Sequence, residues 1–203
     1  NNAREQAKRG VCTSNIKQLG NAVSMYALDN TDYLPPRGPT VWWRGDMIKM
    51  TDGFLAPLGY IYDSYRLSEN IFFCPSLKFN SGCNSNYEPG IQIPRMKTGS
   101  YSWTGYSVNT SGNAYGQGGL LTRTYQKNNP VYLGCMYAYA NSLVNEWSSC
   151  HTFKTLPQGV NVLILDGSAF WLPAANTFLV RNSTGTSTGI SGYATQDHTD
   201  YSY

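Results

Sequence analysis

NNAREQAKRGVCTSNIKQLGNAVSMYALDN, residues 1–30, carries the longest helical pattern of this chain. Its apolar positions are spaced alternately four and three residues apart, which places them on one face of an α-helix: Cys12, Ile16, Leu19, Val23 and Tyr26. Charged and amide side chains fill much of the remaining surface. Such a helix would be roughly 40 Å long, more than an ordinary globular helix. We therefore expect it to extend past the body of a domain of this size.

The first ten residues of that helix are polar, with Ala3 and Ala7 as their apolar positions. No capping box follows Asn1. A segment of this kind gains little from packing, and short isolated helices are marginal in water. We expect that an earlier part of the helix precedes Asn1 and that the chain is the soluble part of a longer protein.

The strongest β pattern lies at residues 160–172. Asp166 and Gly167 separate two apolar runs there and predict a two-residue hairpin turn, because both residue types tolerate a positive φ. The first run is apolar on both faces, which predicts a central strand with the helix on one side. Residues 131–137 alternate at period two and predict another strand.

Weaker patterns predict the remaining elements. These are short helices over residues 46–50 and 54–60, a strand over 71–73, an insertion loop over 76–99, an imperfect strand over 101–108 and surface loops from residue 181 onward. The sequence therefore predicts an α+β fold, with a long N-terminal helix packed on an antiparallel sheet that has long loops. We divide it into the helix, residues 1–34, and a globular head, residues 35–203.

Composition limits the function classes. A length of 203 residues predicts one domain, or one domain with a long insertion. The net charge of +3 is too small to indicate nucleic-acid binding. The sequence contains no run of 18 apolar residues that could span a membrane.

Five cysteines are present: Cys12, Cys74, Cys83, Cys135 and Cys150. No C-x-x-C or C-x-x-H spacing occurs, which argues against a zinc site. Cys74 with Cys83 and Cys135 with Cys150 could each close a short disulfide loop, although four cysteines allow three connectivities. Cys12, on the apolar face of the helix, is expected to be a buried thiol. Disulfides would fit an envelope or extracellular location.

Several segments resemble type IV pilin-like proteins, and most closely the group related to the major pseudopilin of type II secretion. The N-terminal match covers residues 2–9 (NAREQAKR), 12–20 (CTSNIKQLG), 25–30 (MYALDN) and 32–36 (DYLPP). Further matches lie at residues 73–76 (FCPS), 159–167 (GVNVLILDG) and 170–172 (FWL). That group often carries a His ten residues before the Asp-Gly pair and another just after it, where this chain has Leu156 and Ser168.

The resemblance implies a pilin-like fold and a structural role, with no enzymatic activity. It implies an apolar helix ahead of Asn1 that anchors the protein in the inner membrane, and a head on the periplasmic or extracellular side of a bacterial cell envelope. The expected partners are copies of the chain or related pilins, as in a secretion or pilus-like filament. We expect the charged side chains at the start of the helix to set the register between neighbours: Arg4, Glu5, Lys8 and Arg9.

No catalytic or cofactor-binding constellation stands out. Residues 185–189 fit G-x-S-x-G, but Ser/Thr-rich coil flanks them instead of a strand and a helix. The major pseudopilins that the chain resembles hold calcium in a C-terminal loop, and Asp197 and Asp200 are weak candidates for such a site. Otherwise we expect no metal and no cofactor.

The alternative function is a surface-displayed module that binds a glycan or another polymer. Aromatic rings stack on sugar rings, and the candidates for an exposed patch are Trp42, Trp43, Trp103 and Tyr106. Burial of these rings would favour the structural role instead.

Overall fold

A computed structural model describes part of the chain. The backbone is described for residues 2–36, 47–49, 53–76, 89–100, 102–104, 106–108, 131–135, 137–140, 146–149, 151–153, 156–164, 166–173, 178–179 and 193–194. Side chains are described for residues 3–36, 48–49, 53–76, 89–100, 102, 104, 106, 132–135, 151, 158–164 and 166–173.

The described elements combine helices with antiparallel strands. The helices are α1 (Asn2–Asp29), α2 (Pro57–Tyr65), a 3-10 helix (Glu69–Phe72) and α3 (Pro89–Lys97). The strands are β1 (Met47–Lys49), β2 (Ser102–Trp103), β3 (Tyr106–Val108), β4 (Val131–Cys135), β5 (Tyr137–Ala140), β6 (Glu146–Ser149), β7 (Thr152–Phe153), β8 (Leu156–Pro157), β9 (Gly159–Ile164), β10 (Ala169–Pro173), β11 (Phe178–Leu179) and β12 (Tyr193–Ala194).

The long N-terminal helix is confirmed. α1 has 28 residues, and its predicted apolar face is buried at Cys12, Ile16, Leu19 and Val23. It packs against β9, β10, α2 and the 3-10 helix. Burial continues to Ala27, and Glu5 already contacts the head, so the expectation that α1 extends past the body is wrong. The helix and the head share one hydrophobic core.

The central sheet has four strands in the order β10-β9-β4-β3, and every pairing is antiparallel. β9 lies between β10 and β4, as its apolar character on both faces predicts, and its residues from Gly159 to Leu163 are buried. The α+β architecture, with an N-terminal helix on an antiparallel sheet, therefore agrees with the sequence pattern.

The β9–β10 hairpin is also confirmed, with Leu163 opposite Ala169 and Gly159 opposite Pro173. Its turn is longer than the predicted two residues. Gly167 N donates to Ile164 O at 3.0 Å, and Ile164 N donates to Ser168 O at 2.9 Å. A two-residue type I′ turn needs a positive φ at both central positions, whereas of the two predicted turn residues, Asp166 and Gly167, only Gly167 has one, at φ 87°.

Several short elements differ from the sequence predictions. Residues 47–49 form strand β1 and not a helix, and α2 covers Pro57–Tyr65, later in the chain than the helix predicted over residues 54–60. The segment predicted as a strand over residues 71–73 is mostly the 3-10 helix, and α3 lies within the predicted insertion loop. The predicted strand over residues 101–108 divides into β2 and β3 in different sheets, and β12 interrupts the predicted C-terminal loops.

Tyr132, on β4, is buried, and its hydroxyl has no hydrogen-bond partner among the described residues. Removing a buried, unsatisfied hydroxyl is close to neutral or stabilising. We expect Tyr132→Phe to change the free energy of unfolding at neutral pH by less than about 0.5 kcal/mol, or to raise it. Tyr106→Phe, which removes a hydroxyl donor to Cys12 Sγ, should lower it by about 0.5–1.5 kcal/mol. Urea denaturation measures both.

The same residue gives a prediction for alkaline pH. Burial raises the pKa of Tyr132 above its ordinary value of 10.0. Above pH 10 the unfolded chain therefore loses this proton while the folded chain keeps it, so the free energy of unfolding falls as pH rises. The fall should be shallower in Tyr132→Phe than in the wild type. The free energy of unfolding of both proteins is measured by urea denaturation between about pH 9 and 11. An equal fall with pH in the two proteins would contradict this account.

Candidate functional site

Four potential metal ligands from distant parts of the chain meet in the core: Cys12, Cys74, Cys135 and His151. We call them the Cys3His cluster. Their ligand atoms all lie within 4.8 Å of one another, and all four residues are buried. α1 supplies the first, the segment after the 3-10 helix the second, the end of β4 the third and the residue before β7 the fourth.

The imidazole faces the sulfurs. His151 Nε2 is 3.4 Å from Cys74 Sγ and 3.8 Å from Cys135 Sγ. Cys12 Sγ lies 3.0 Å from Cys135 Sγ, which is longer than the ~2.05 Å of a disulfide bond. Tyr106 Oη donates to Cys12 Sγ at 3.7 Å.

His151 holds an unusual backbone conformation. Its φ of 59° lies in the left-handed region, which residues other than glycine rarely adopt. Its carbonyl accepts a hydrogen bond from Gln158 N at 2.9 Å, and its ring packs edge-on against Trp171 with 5.2 Å between centroids. Strain of this kind costs about 1–3 kcal/mol and persists where the surrounding structure holds the residue in place.

Glu5 orients the imidazole from α1. Its Oε1 lies 2.7 Å from His151 Nδ1. Because a carboxylate only accepts hydrogen bonds, the proton lies on Nδ1, and in the neutral ring Nε2 then presents its lone pair to the sulfurs. Ser76 Oγ donates to both carboxylate oxygens, at 3.0 and 3.2 Å. Arg9, one turn further along α1, has its Nε 4.0 Å from Glu5 Oε1 and its guanidinium 4.0 Å above the Trp171 ring.

Side-chain to backbone hydrogen bonds fix α1 beside the cluster. Asn161, buried in β9, donates to Arg9 O at 3.1 Å and accepts from Thr13 Oγ1 at 3.0 Å. Asn15 donates to Phe73 O at 3.2 Å, next to Cys74. These bonds fix the rotation of α1 about its axis and its position along that axis relative to the sheet. Cys12 therefore faces the other potential ligands.

Burial raises the pKa of the Cys12 thiol, and the neighbouring Cys74 raises it further, although the contact with Cys135 acts the other way. Burial likewise raises the pKa of Tyr106 well above its ordinary value. Without a positive charge in the cluster, both groups keep their protons at neutral pH. A cation placed among the sulfurs would reverse this preference, because thiolate is the form that ligates metals.

The cluster differs from a catalytic cysteine site. Cys74, His151 and Glu5 are arranged like a nucleophile, a base and an orienting carboxylate. A reactive thiol must be partly accessible, however, and Cys74 is 3% exposed and His151 fully buried. Four converging soft and borderline ligands in a closed, buried shell are typical of a structural metal site.

The predicted disulfides concern two members of this cluster. Cys12, Cys74 and Cys135 are all buried, as expected for Cys12. The proposed partners Cys83 and Cys150 lie outside the described residues, so the pairings stay predictions. The absence of C-x-x-C spacing does not bear on this cluster, because that spacing detects ligands on one local turn and not side chains that the fold brings together.

The other predicted site residues are distributed as follows. Arg4 is exposed, Lys8 is half-buried, and Glu5 and Arg9 make the contacts within the chain described above. Tyr106 is fully buried, which removes it from an exposed aromatic patch. Outside the described part lie Trp42, Trp43, the Trp103 side chain, residues 185–189, Asp197 and Asp200.

The fold and the cluster define a small α+β domain in which a cysteine of the N-terminal helix meets cysteine and histidine side chains from three other parts of the chain. Comparison of the chain with family models, curated proteins and solved structures finds no match. Among the described helices, none combines the length and the apolar character needed to cross a membrane.

Proposed function

We propose that this chain is a structural, pilin-like subunit of a type II secretion or type IV pilus-like filament in a bacterial cell envelope. The observation that carries the proposal is α1, which buries one face against the head and leaves the opposite face exposed along its length. The resemblance of residues 2–36 to pilin-like proteins supports the same role. Structural work of this kind needs contact surfaces and no reaction.

The exposed face has a regular spacing. We call it the outer stripe, and its residues alternate at steps of three and four: Arg4, Ala7, Val11, Ser14, Gln18, Asn21, Met25 and Leu28. This is the heptad spacing with which helices pack against one another. Val11, Met25 and Leu28 expose about half or more of their surface, at 52%, 51% and 78%. The occupant that we propose for the stripe is the helix of a second copy of this chain or of a related pilin.

The stripe changes the residues proposed for subunit contact. Arg4 belongs to it, whereas Glu5 and Arg9 are engaged inside the chain. Apolar contacts at Val11, Met25 and Leu28 would supply most of the association energy, because exposed charge pairs contribute little. An apolar anchor ahead of the helix, in the inner membrane, is part of the proposal and would align neighbouring helices in parallel.

The test uses the product of the complete reading frame in its native cells. Chemical cross-linking of the envelope fraction should give a ladder of oligomers for the wild type. Val11→Arg and Met25→Arg should lose the ladder, because each places a charge in the helix contact. Phe170→Arg, at a residue of β10 that is 40% exposed, is the matched control and should keep it.

Thermal melts of the purified 203-residue chains should be alike for the three variants, since all three residues are exposed. A wild type that stays monomeric under the same cross-linking would overturn the proposal. So would stripe variants that assemble as well as the control.

A further inference from the structure

We propose that the Cys3His cluster is a structural Zn²⁺ site in which Cys12, Cys74, Cys135 and His151 are the four ligands and Glu5 positions the imidazole. This inference does not depend on the proposed filament role.

The ligand set fits zinc. Three sulfurs and one imidazole nitrogen form a Cys3His set, and closed four-coordinate sites of this composition are structural. Tetrahedral bond lengths of about 2.3 Å to sulfur and 2.0–2.1 Å to nitrogen imply ligand-to-ligand separations of about 3.5–3.8 Å. The two sulfur-to-Nε2 distances, 3.4 and 3.8 Å, agree with this. Cys12 and Cys135 would need to separate by less than about 1 Å.

The surroundings are those of a ligating histidine. In protein zinc sites the second ring nitrogen usually donates to a carboxylate or a carbonyl, which fixes the tautomer and aims the other nitrogen at the metal. Glu5 makes this bond at 2.7 Å, and Ser76 holds the carboxylate. The Tyr106 hydroxyl donates a hydrogen bond to Cys12 Sγ, and such a bond favours the thiolate form of the cysteine over the thiol.

A disulfide explains less of this arrangement. A bond between Cys12 and Cys135 would use two of the four ligand atoms. It would give no reason for the third sulfur, for the buried imidazole that faces it, or for the left-handed backbone of His151. A tetrahedral cation accounts for all of them together.

Zinc binding would join four separate parts of the fold: α1, the segment after the 3-10 helix, the end of β4 and the residue before β7. Because the ligands span residues 12–151, the metal would close long loops in the chain and stabilise the seating of the helix. We therefore expect the metal-loaded chain to melt at a higher temperature than the chelated one.

The first test is metal content. The chain is purified under reducing conditions, supplied with Zn²⁺ and freed of excess metal. Its zinc content is then measured by inductively coupled plasma mass spectrometry. We expect about one Zn²⁺ per chain in the wild type. Cys12→Ser, Cys74→Ser and Cys135→Ser should lose most of it. Cys83→Ser and Cys150→Ser, the same change at the two cysteines that the proposal does not use as ligands, should keep it.

The second test does not use the three variants that remove a proposed ligand, which could fail to fold. Co²⁺ replaces Zn²⁺ in the wild type and in the two control variants. Visible bands of tetrahedral cobalt and near-ultraviolet bands of thiolate-to-cobalt charge transfer are expected in all three. A reduced, folded wild type that binds neither metal would overturn the proposal, as would cobalt spectra without thiolate bands.

The role of Glu5 as a positioning residue has its own readout. Glu5→Gln should weaken Zn²⁺ binding about 10- to 100-fold and leave the cobalt bands at the same wavelengths, because the four ligands remain. Glu69→Gln, which alters a carboxylate that accepts from Tyr62 far along the chain, is the control and should leave the affinity unchanged. Unchanged affinity in Glu5→Gln would remove Glu5 from the proposal.

Peptide mapping without reductant separates the remaining alternatives. A disulfide from Cys74 to Cys83, from Cys135 to Cys150 or from Cys12 to Cys135 would withdraw a ligand. If any of these is found in protein isolated from native cells with no bound metal, the zinc site is wrong.

Discussion

Leu19→Ala is expected to lower the free energy of unfolding by about 2–5 kcal/mol. Leu19 lies on the packed face of α1 and is fully buried in the core that the helix shares with the head. Truncation removes apolar contacts and leaves a cavity that the rigid sheet cannot fill. Leu28→Ala, the same substitution on the same helix at a residue that is 78% exposed, should change stability by less than about 0.5 kcal/mol.

Urea denaturation followed by circular dichroism measures both variants under one set of conditions. The pair isolates burial, because side-chain chemistry and helix propensity change equally at the two positions. Similar losses at both positions would mean that the helix does not pack on the sheet through this face, and the described fold would be wrong.

Gly59→Ala is expected to destabilise the chain by about 3 kcal/mol, at the upper end of the range for overpacking. Gly59 lies in the first turn of α2, pressed against β1, and an added Cβ there would overlap the carbonyl oxygen of Ile48. That oxygen also accepts from Ala56 N at 3.0 Å, so it is not free to move. The backbone of α2 must therefore shift away from β1.

Gly10→Ala is the matched control. Gly10 is also helical, and an added Cβ there would meet no atom within 4 Å among the described residues. Alanine in a helix is favoured over glycine by roughly 0.5–1 kcal/mol, so this variant should be more stable than the wild type. Opposite signs for the two substitutions are the expected result. A stabilised Gly59→Ala would contradict the close approach of α2 to β1.

The sequence predicted the elements whose patterns are long and local. α1 follows from a run of apolar positions over about four turns, too regular for a strand or a loop. The β9–β10 hairpin follows from two apolar runs around Asp166 and Gly167. In both cases neighbouring residues in the chain carry the whole signal, and the tertiary structure adds only the packing partner.

Short elements were predicted less well, because tertiary contacts outweigh local propensity over three or four residues. Met47–Lys49 became a strand by pairing with β2, which lies more than fifty residues downstream. The apolar residues at 71–72 are buried in the 3-10 helix, and burial alone does not distinguish a short helix from a strand. The hairpin turn was longer than predicted, because Asp166 does not take the positive φ that a two-residue type I′ turn needs beside Gly167.

From its amino-acid order alone, the chain specifies a long amphipathic helix, a central strand and the hairpin that follows it, since each depends on the periodicity of adjacent side chains. The meeting of Cys12, Cys74, Cys135 and His151 depends on tertiary structure, because no local spacing relates residues so far apart in the chain. They come together only when α1 packs on the sheet in the position that the hydrogen bond from Asn161 fixes, and when the backbone of His151 adopts its left-handed conformation. Packing and long-range hydrogen bonds therefore create the cluster, whereas periodicity creates the elements that carry it.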